Sequence, residues 1–358
     1  MIDKYKSPLH QMANTTPTEF WNDSCAIPEL KYAIEYGAVG ATTNPVIVGQ
    51  VLKNDMEAYL DRINELIKEM KDATEDEIAW KLNEEMAVAG AALLEPIFNL
   101  SNGQRGRISI QTNTKYYRNT KLMVEQAIHF NKLAPNIQVK MPATKAGIVA
   151  LEEATYLGIS INATVSFSVS QALAVAEAVE RGLKRREAEG KDTSSMHPVC
   201  TIMIGRVDDW LKEVAKRDNI SIDPECLEWA GIAIMKRAYK IFKERKFRIQ
   251  LLSAAYRNHH QWIQFIGAEM AMTIPPKWIR KFNDMDIPVK SYIDDPVDMK
   301  ILEQLITKFP EFNKAYDIDG LKIEQFDTYG PVSKTLIQFL EGYDDLVSVI
   351  RNIMITIK

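Results

Sequence analysis

Cysteine and histidine are scarce in this sequence, and neither is arranged as disulfide or metal chemistry requires. Cys25, Cys200 and Cys226 are too few and too widely separated for a disulfide framework or a zinc site. The five histidines show no ligand spacing, and the adjacent His259 and His260 would point in different directions on a helix. We therefore expect a protein without a metal that works in the reducing cytoplasm.

Long apolar runs are missing as well. The sequence contains no run of about 18 apolar residues, and residues 1–6 are not followed by the apolar core of a signal peptide. The net charge of −4 argues against nucleic acid or an anionic membrane as the main partner. We expect no membrane segment and no nucleic-acid partner.

The sequence does contain an alternation of short apolar runs with longer helical patterns. Hydrophobic residues make up 46% of the 358 residues and charged residues 26%, as in ordinary soluble globular proteins. Eight short runs are each followed by a helical pattern, which is the count of a (β/α)8 barrel. The predicted strands are 19–24, 39–42, 106–111, 136–140, 159–165, 199–204, 248–253 and 270–274.

Two regions go beyond the eight βα units. Long amphipathic helices at 55–71 and 75–94 are more than one crossover needs, so we expect extra helices between strands 2 and 3. Residues 285–358 form a C-terminal helical extension that ends in an amphipathic helix at 333–352. This helix could pack on the barrel or on a second subunit, so a homo-oligomer stays open. We predict a single barrel domain over residues 1–358.

The fourth predicted strand carries a lysine, Lys140, at its carboxyl end. Pro142 stops this strand because it has no N–H to give to a neighbouring strand. Active sites of parallel barrels are built at the carboxyl ends of the strands. A lysine that loses hydration there favours its neutral form, which can attack a carbonyl carbon. The alternative is a lysine that faces solvent, because lysine is rarely buried.

Other strand ends also carry small hydrogen-bonding or charged side chains. Each alone is ordinary, since asparagine before proline, for example, is a good turn residue. Together they ring Lys140 with polar groups and place two arginines farther out, which predicts a site for a phosphorylated carbonyl compound. In chain order they are Asp23, Asn44, Gln111, Asn162 and Thr164, with Arg206 and Arg257 in the loops after the sixth and seventh strands.

Around these residues lie six motifs that occur together in one order. They are residues 21–24 (WNDS), 37–45 (GAVGATTNP), 139–144 (VKMPAT), 158–164 (GISINAT), 205–210 (GRVDDW) and 254–258 (AAYRN). In these motifs the sequence resembles the transaldolase family, class I aldolases built on a circularly permuted (β/α)8 barrel. The resemblance covers roughly residues 20–275, and residues 285–358 carry less of it.

The resemblance implies roles in catalysis. Lys140 would form a Schiff base with the ketone carbon of a donor sugar phosphate, and Asp23 would serve as acid or base in carbon–carbon cleavage. Thr164 would orient a water that relays protons during imine formation. No cofactor is implied, because the protonated imine is itself the electron sink.

The resemblance also implies how the substrate is held. Asn44 and Asn162 would hold the dihydroxyacetone portion of a sugar phosphate. Arg206 and Arg257 would bind its phosphate, for which the planar guanidinium is well suited. The implied reaction transfers a three-carbon unit from a ketose phosphate to an aldose phosphate.

Three departures from the family pattern leave alternatives open. Gln111 stands where most transaldolases have a glutamate, and fructose 6-phosphate aldolases also use glutamine there. Those aldolases rely on a tyrosine where this chain has Met203, and Ala255 replaces a phosphate-binding serine. Cleavage that releases free dihydroxyacetone is therefore one alternative, and a sugar-phosphate-binding homologue with weakened turnover is another.

Overall fold

Eight parallel strands close into a barrel in the computed structural model, which describes residues 4–355. They are β1 (Glu19–Asn22), β2 (Gly40–Thr42), β3 (Arg107–Gln111), β4 (Ile137–Pro142), β5 (Ile161–Ser166), β6 (Val199–Ile202), β7 (Gln250–Ser253) and β8 (Ala271–Ile274). Each strand pairs with the next in chain order, and β8 pairs with β1. The predicted (β/α)8 barrel is confirmed.

Helices surround this barrel and form the two additional regions. They are α1 (Pro8–Thr15), α2 (Ile27–Glu35), α3 (Pro45–Asn54), α4 (Met56–Glu69), α5 (Glu75–Leu100), α6 (Thr120–Phe130), α7 (Lys145–Tyr156), α8 (Val169–Ala188), α9 (Ile204–Arg217), α10 (Pro224–Leu227), α11 (Ala230–Arg245), α12 (His260–Ile263), α13 (Pro276–Asn283), α14 (Met299–Lys308), α15 (Pro310–Tyr316) and α16 (Gly330–Met354). Short 3-10 turns occupy Thr114–Tyr116 and Ile323–Thr328. Within residues 4–355, none of the helices is both long and apolar enough to cross a bilayer.

The strands around the site depend on two close approaches that only glycine permits. A Cβ atom at Gly40 would lie 2.6 Å from the indole of Trp21, so β2 packs against that ring only with glycine there. A Cβ atom at Gly147 would lie 1.7 Å from the carbonyl oxygen of Pro142. The first turn of α7 therefore sits directly on the carboxyl end of β4, the strand that carries Lys140.

A second apolar cluster lies beside the barrel and joins the inserted helices to the last one. Apart from Cys25, which follows β1, its buried members come from α3, α4, α5 and α16 and include Val48, Leu52, Ile63, Leu66, Ile78, Leu82, Met86, Leu346, Val347 and Ile350. The Trp80 indole also donates a hydrogen bond of 3.1 Å to the Tyr343 hydroxyl. The insertion and the C-terminal extension thus pack on each other, and this holds α16 against the barrel.

The insertion between β2 and β3 differs from the prediction. It contains three helices rather than two, because α3 begins directly after Asn44. Asn44 and Pro45 read as a turn in the sequence, yet asparagine is a favoured N-cap and proline a favoured first helical residue. The last helix of the insertion, α5, continues through Pro96 to Leu100, beyond the predicted end at residue 94.

The position of Arg206 also differs from the prediction. The sixth strand ends at Ile202 rather than at residue 204, and α9 begins at Ile204. Arg206 therefore lies in the first turn of a helix and not in a loop. The C-terminal extension likewise contains α14 and α15, which were not predicted, and α16 begins at Gly330, earlier than expected. That residues 1–358 form one domain stays a prediction.

Candidate active site

The barrel register places Lys140 between two polar side chains. Gln111 of β3 and Asn162 of β5 are the register partners of Lys140 on its two sides. Register partners of a parallel sheet point to the same face. For Asn162 this face is the barrel interior, because its side chain bonds across β4 to Ser109 of β3. Lys140 is only 3% exposed, so the solvent-facing alternative is wrong. It lies two residues before the end of β4, not at the end.

Asp23 follows β1 directly and is held by a hydroxyl from the next strand. Thr42 of β2 donates a hydrogen bond of 2.6 Å to the Asp23 carboxylate. The Thr42 hydroxyl also contacts the hydroxyl of Thr273 on β8. No local sequence pattern indicates the contact of Thr42 with Thr273, because β2 and β8 are far apart in the sequence.

Lys140 and Asp23 are electrostatic neighbours, and burial acts on both. Burial lowers the pKa of Lys140 below that of an exposed lysine; the Asp23 charge opposes this, and the Arg206 charge adds to it. Burial raises the pKa of Asp23, against the Lys140 charge, the Thr42 hydrogen bond and the Arg206 charge. Because each charged form is costly here, the amine of Lys140 is more readily neutral than that of a lysine in water.

Asn162 is held by a network inside the barrel. Its amide nitrogen donates to Ser109 Oγ at 3.0 Å, and its carbonyl oxygen accepts from Thr201 Oγ1 at 2.7 Å. Ser109 in turn donates to Gln138 at 2.8 Å. These bonds fix the amide orientation and leave one N–H of Asn162 for a ligand. Ser109 and Thr201 were missed in the sequence, although Ser109 stands two residues before Gln111 on the same face.

Gln111 and Thr164 are buried but weakly bonded. Gln111 donates to Thr114 Oγ1 at 3.2 Å, and its own carbonyl oxygen has no partner among residues 4–355. The Thr164 hydroxyl has the Met203 sulfur at 3.9 Å, a weak acceptor. Next to it, Val165 has φ of 55° in a register shift of β5 against β6. A branched residue in this left-handed region is strained, which is common at functional sites.

Asn44 has a structural role in this arrangement. Its side-chain oxygen caps α3 by accepting from the Ile47 N–H at 3.0 Å. The capping use of the oxygen leaves only the amide N–H groups of this buried side chain for another partner. The structural part of the role of Asn44 is therefore that of a helix N-cap rather than that of a turn residue.

Arg206 and Arg257 line one cavity of about 100 Å³. The Arg206 guanidinium donates to Gln338 and, at 3.4 Å, to Thr335, both on α16. Burial and the nearby Arg257 charge lower the pKa of Arg206 to about 10. Two guanidinium groups that repel each other in a partly enclosed cavity favour an anion between them.

Two consecutive acids hold Arg257 in place. Asp209 accepts two hydrogen bonds from its guanidinium, at 2.9 and 2.7 Å. Asp208 accepts from Gln261 at 2.6 Å, and Gln261 accepts from the Arg257 backbone N–H at 2.6 Å. Gly205 is needed beside them, because a Cβ atom there would lie 1.9 Å from the Ala255 carbonyl oxygen.

Among residues 4–355, no group of three or more His, Cys, Asp or Glu side chains is arranged to hold a metal ion. The polar groups gathered at the carboxyl ends of the strands are instead one amine, one carboxylate, amides, hydroxyls and two guanidinium groups. These features define a (β/α)8-barrel protein whose site is built around a buried lysine.

Comparison with known proteins identifies the family to which this chain belongs. Residues 20–324 match the model of the Transaldolase/Fructose-6-phosphate aldolase family. The chain is 30% identical over 332 residues to a protein named Transaldolase from Thiobacillus denitrificans, covering 83% of this chain and 89% of that protein. The chain belongs to the transaldolase/fructose-6-phosphate aldolase family.

Other relatives match over a shorter region. Transaldolase 1 of Streptomyces avermitilis is 32% identical over 210 residues, which is 58% of this chain and 54% of that protein. Transaldolase of Mycolicibacterium smegmatis is 32% identical over 211 residues, 58% of this chain and 55% of that protein. The chain thus aligns with about half the length of these curated relatives.

Proposed function

We propose that this protein is a transaldolase, which moves a three-carbon dihydroxyacetone unit from a ketose phosphate to an aldose phosphate through a Schiff base on Lys140. The observation that carries the proposal is the burial of Lys140 inside the barrel, with Asp23 as its charged neighbour. The family and the names of the relatives agree with it.

Imine formation starts from the neutral amine. The Lys140 nitrogen adds to the ketone carbon of the donor, and the carbinolamine then loses water to give the protonated imine. Thr164 orients the water that relays protons in this step. Its position on β5, two residues beyond Asn162 on the same face, supports this assignment.

Cleavage and transfer follow from the imine. Asp23 accepts the proton of the donor hydroxyl as the adjacent carbon–carbon bond breaks, and the bonding electrons move into the imine to form an enamine on Lys140. The aldose phosphate leaves, and another takes its place. The enamine carbon then attacks the acceptor aldehyde, Asp23 returns the proton, and water hydrolyses the imine to release the product and the free amine.

The remaining residues hold the substrate. Asn162 and Asn44 bind hydroxyl groups of the dihydroxyacetone portion through their amide N–H groups. Arg206 and Arg257 bind the phosphate in the cavity between them. Sugar phosphates are therefore the proposed partners, and the cytoplasm stays the predicted location.

A second candidate function is aldol cleavage that releases free dihydroxyacetone to water, and Gln111 favours it. A glutamine can position a water but cannot take its proton, so it gives weaker acid–base help than the glutamate of most transaldolases. The Gln111 carbonyl oxygen beside Lys140 has no hydrogen-bond partner in the described part of the chain, so it is available for such a water.

Incubation with fructose 6-phosphate, with and without erythrose 4-phosphate, separates the two functions. Transfer requires the acceptor, so we expect glyceraldehyde 3-phosphate and sedoheptulose 7-phosphate only when both sugars are present. Free dihydroxyacetone in the absence of the acceptor would instead establish cleavage.

Borohydride trapping tests the Schiff base itself. With fructose 6-phosphate we expect a stable adduct that mass mapping places on Lys140 and that Lys140→Ala abolishes. Lys236→Gln is the matched control, because burial also lowers the pKa of Lys236, to about 8, on a helix outside the barrel. An adduct that survives in Lys140→Ala, or none in the wild type, contradicts the proposal.

A further inference from the structure

The C-terminal helix, α16, lines one side of the cavity that contains Arg206 and Arg257. Pro331, Lys334, Thr335 and Gln338 of α16 line it together with the two arginines and Asp209. The family match ends at residue 324, before this helix begins. The α16 side of the cavity therefore lies outside the residues that the family model matches.

The cavity carries an excess of positive charge. Three cationic side chains, Arg206, Arg257 and Lys334, face one carboxylate, Asp209, which is already paired with Arg257. Among residues 4–355, Arg206 forms no salt bridge, and its contacts on α16 are with neutral groups: the Gln338 oxygen, the Thr335 hydroxyl and the Phe339 ring. An anion in the cavity would meet a guanidinium that lacks a carboxylate partner, which favours its binding.

Thr335 offers the hydroxyl that Ala255 lacks. The side chain of Thr335 is 1% exposed, and its oxygen accepts from Arg206. The O–H hydrogen of Thr335 can therefore be donated to an anion in the cavity. Gln338 uses its oxygen on Arg206 in the same way and presents its NH2 group.

The Lys334 ammonium can exchange Glu213 for an anion in the cavity at little cost in free energy. Its ammonium pairs with Glu213 of α9, with 36% and 51% of the two side chains exposed. Ion pairs this exposed are worth about 0–1 kcal/mol, so a phosphate dianion in the adjacent cavity competes with Glu213.

We infer that α16 completes the phosphate subsite of this protein, with Thr335 supplying the hydroxyl lost at Ala255 and Lys334 supplying a third cation. The inference rests on the proposed function for the identity of the substrate. It makes residues outside the family match determinants of the preference for phosphorylated over unphosphorylated sugars. When no anion is bound in the subsite, the Lys334 ammonium stays paired with the Glu213 carboxylate.

Titration calorimetry with inorganic phosphate tests the subsite without any turnover. We expect Thr335→Val and Lys334→Met each to raise Kd about 10-fold, because each removes a hydrogen bond to a charged group. Glu213→Gln is expected to lower Kd, since it releases Lys334. Lys314→Met is the control: it removes a partly exposed lysine outside the cavity that pairs with Glu311 on its own helix, and Kd should not change.

Kd is expected to rise in Lys334→Met and to fall in Glu213→Gln. These opposite changes distinguish a binding role of Lys334 from a structural one. If the Lys334–Glu213 pair only attaches α16 to α9, then Lys334→Met and Glu213→Gln will weaken phosphate binding together and lower Tm together. That result, or an unchanged Kd in both Lys334→Met and Thr335→Val, overturns the inference.

A comparison of two substrates distinguishes a failure of the subsite inference from a failure of the proposed function. We expect the ratio of borohydride-trapping efficiencies, fructose 6-phosphate over dihydroxyacetone, to fall about 10-fold in Lys334→Met and Thr335→Val. If the wild type traps neither sugar, the Schiff-base function fails while the calorimetry still decides the subsite. If it traps both sugars and the ratio stays constant in the two variants, the subsite inference fails alone.

Discussion

Thr42 donates a hydrogen bond of 2.6 Å to Asp23, and Thr42 stands on the strand next to the one that Asp23 follows. The bond favours the charged carboxylate, while burial of Asp23 disfavours it. Thr42 thus opposes the effect of burial on the pKa of Asp23 and favours the charged form, which can accept a proton.

Thr42→Val is expected to raise the pKa of Asp23, because it removes a hydrogen bond that stabilises the carboxylate. Since one hydrogen bond to a charged group is worth about 1.5–3 kcal/mol, the acid limb of the pH–rate profile should move up by about 1–2 pH units. Steady-state kinetics from pH 5 to 9 measure this. Thr155→Val, a buried threonine of α7 that bonds only its own helix, is the control. An acid limb that stays in place in Thr42→Val contradicts the role of the bond.

Asp23→Asn should separate imine formation from cleavage. The Asp23 charge raises the pKa of Lys140, so its removal lowers that pKa further and makes the amine neutral at lower pH. We expect borohydride trapping to persist and to extend to lower pH than in the wild type. Turnover should fall about 100- to 10,000-fold with the loss of general acid–base catalysis. Equal losses of trapping and turnover would show that Asp23 acts in imine formation instead.

Gln111→Glu tests the departure from the transaldolase pattern. A carboxylate at this register position next to Lys140 can accept a proton from a bound water, which glutamine cannot. If the substrates are the usual ones, we expect a higher transfer rate from fructose 6-phosphate to erythrose 4-phosphate. Coupled detection of glyceraldehyde 3-phosphate measures it. A rate that stays equal or falls means that Gln111 is adapted to another substrate.

His197→Gln should remove part of the acid sensitivity of the fold. Burial lowers the pKa of His197 from 6.5 to about 4, so between these values the unfolded chain binds a proton that the folded chain does not. The free energy of unfolding therefore falls as the pH drops from 6.5 to 4, by up to about 3 kcal/mol from this group.

Urea unfolding at pH 4.5 and 7.5 measures this contribution. We expect a smaller difference between the two pH values in His197→Gln, where glutamine keeps a polar group next to Gln250. The exposed His259→Gln variant serves as the control. A pH difference as large in His197→Gln as in the wild type would assign the acid sensitivity to other groups.

The strands of this barrel could be predicted because short apolar runs lie between glycine, proline and asparagine. The burial of Lys140 could not be predicted in this way. Every residue of β4 is buried although residues 137–141 alternate apolar and polar side chains, a pattern that is typical of a strand with one face in solvent. Only the register with Gln111 and Asn162 places its amine inside the barrel.

Other differences have local causes. The sixth strand was predicted to run to residue 204, whereas α9 begins at Ile204 and Gly205 allows its first turn to approach the Ala255 carbonyl. Asn44 and Pro45 carried a helix-start signal that competed with a turn signal of the same two residues. The pairs Thr42–Asp23 and Asn162–Ser109 depend on strand neighbours far apart in the sequence, which no local pattern reveals.

The helix that closes the anion cavity, α16, is also made after every strand of the barrel. During synthesis the lysine and its ring of amides and hydroxyls are complete before Lys334, Thr335 and Gln338 have left the ribosome. A chain that ends before α16 would therefore contain both arginines of the cavity but none of the α16 side chains that line it. Translation thus supplies Arg206 and Arg257 before the hydroxyl and the third cation that we infer for the same subsite.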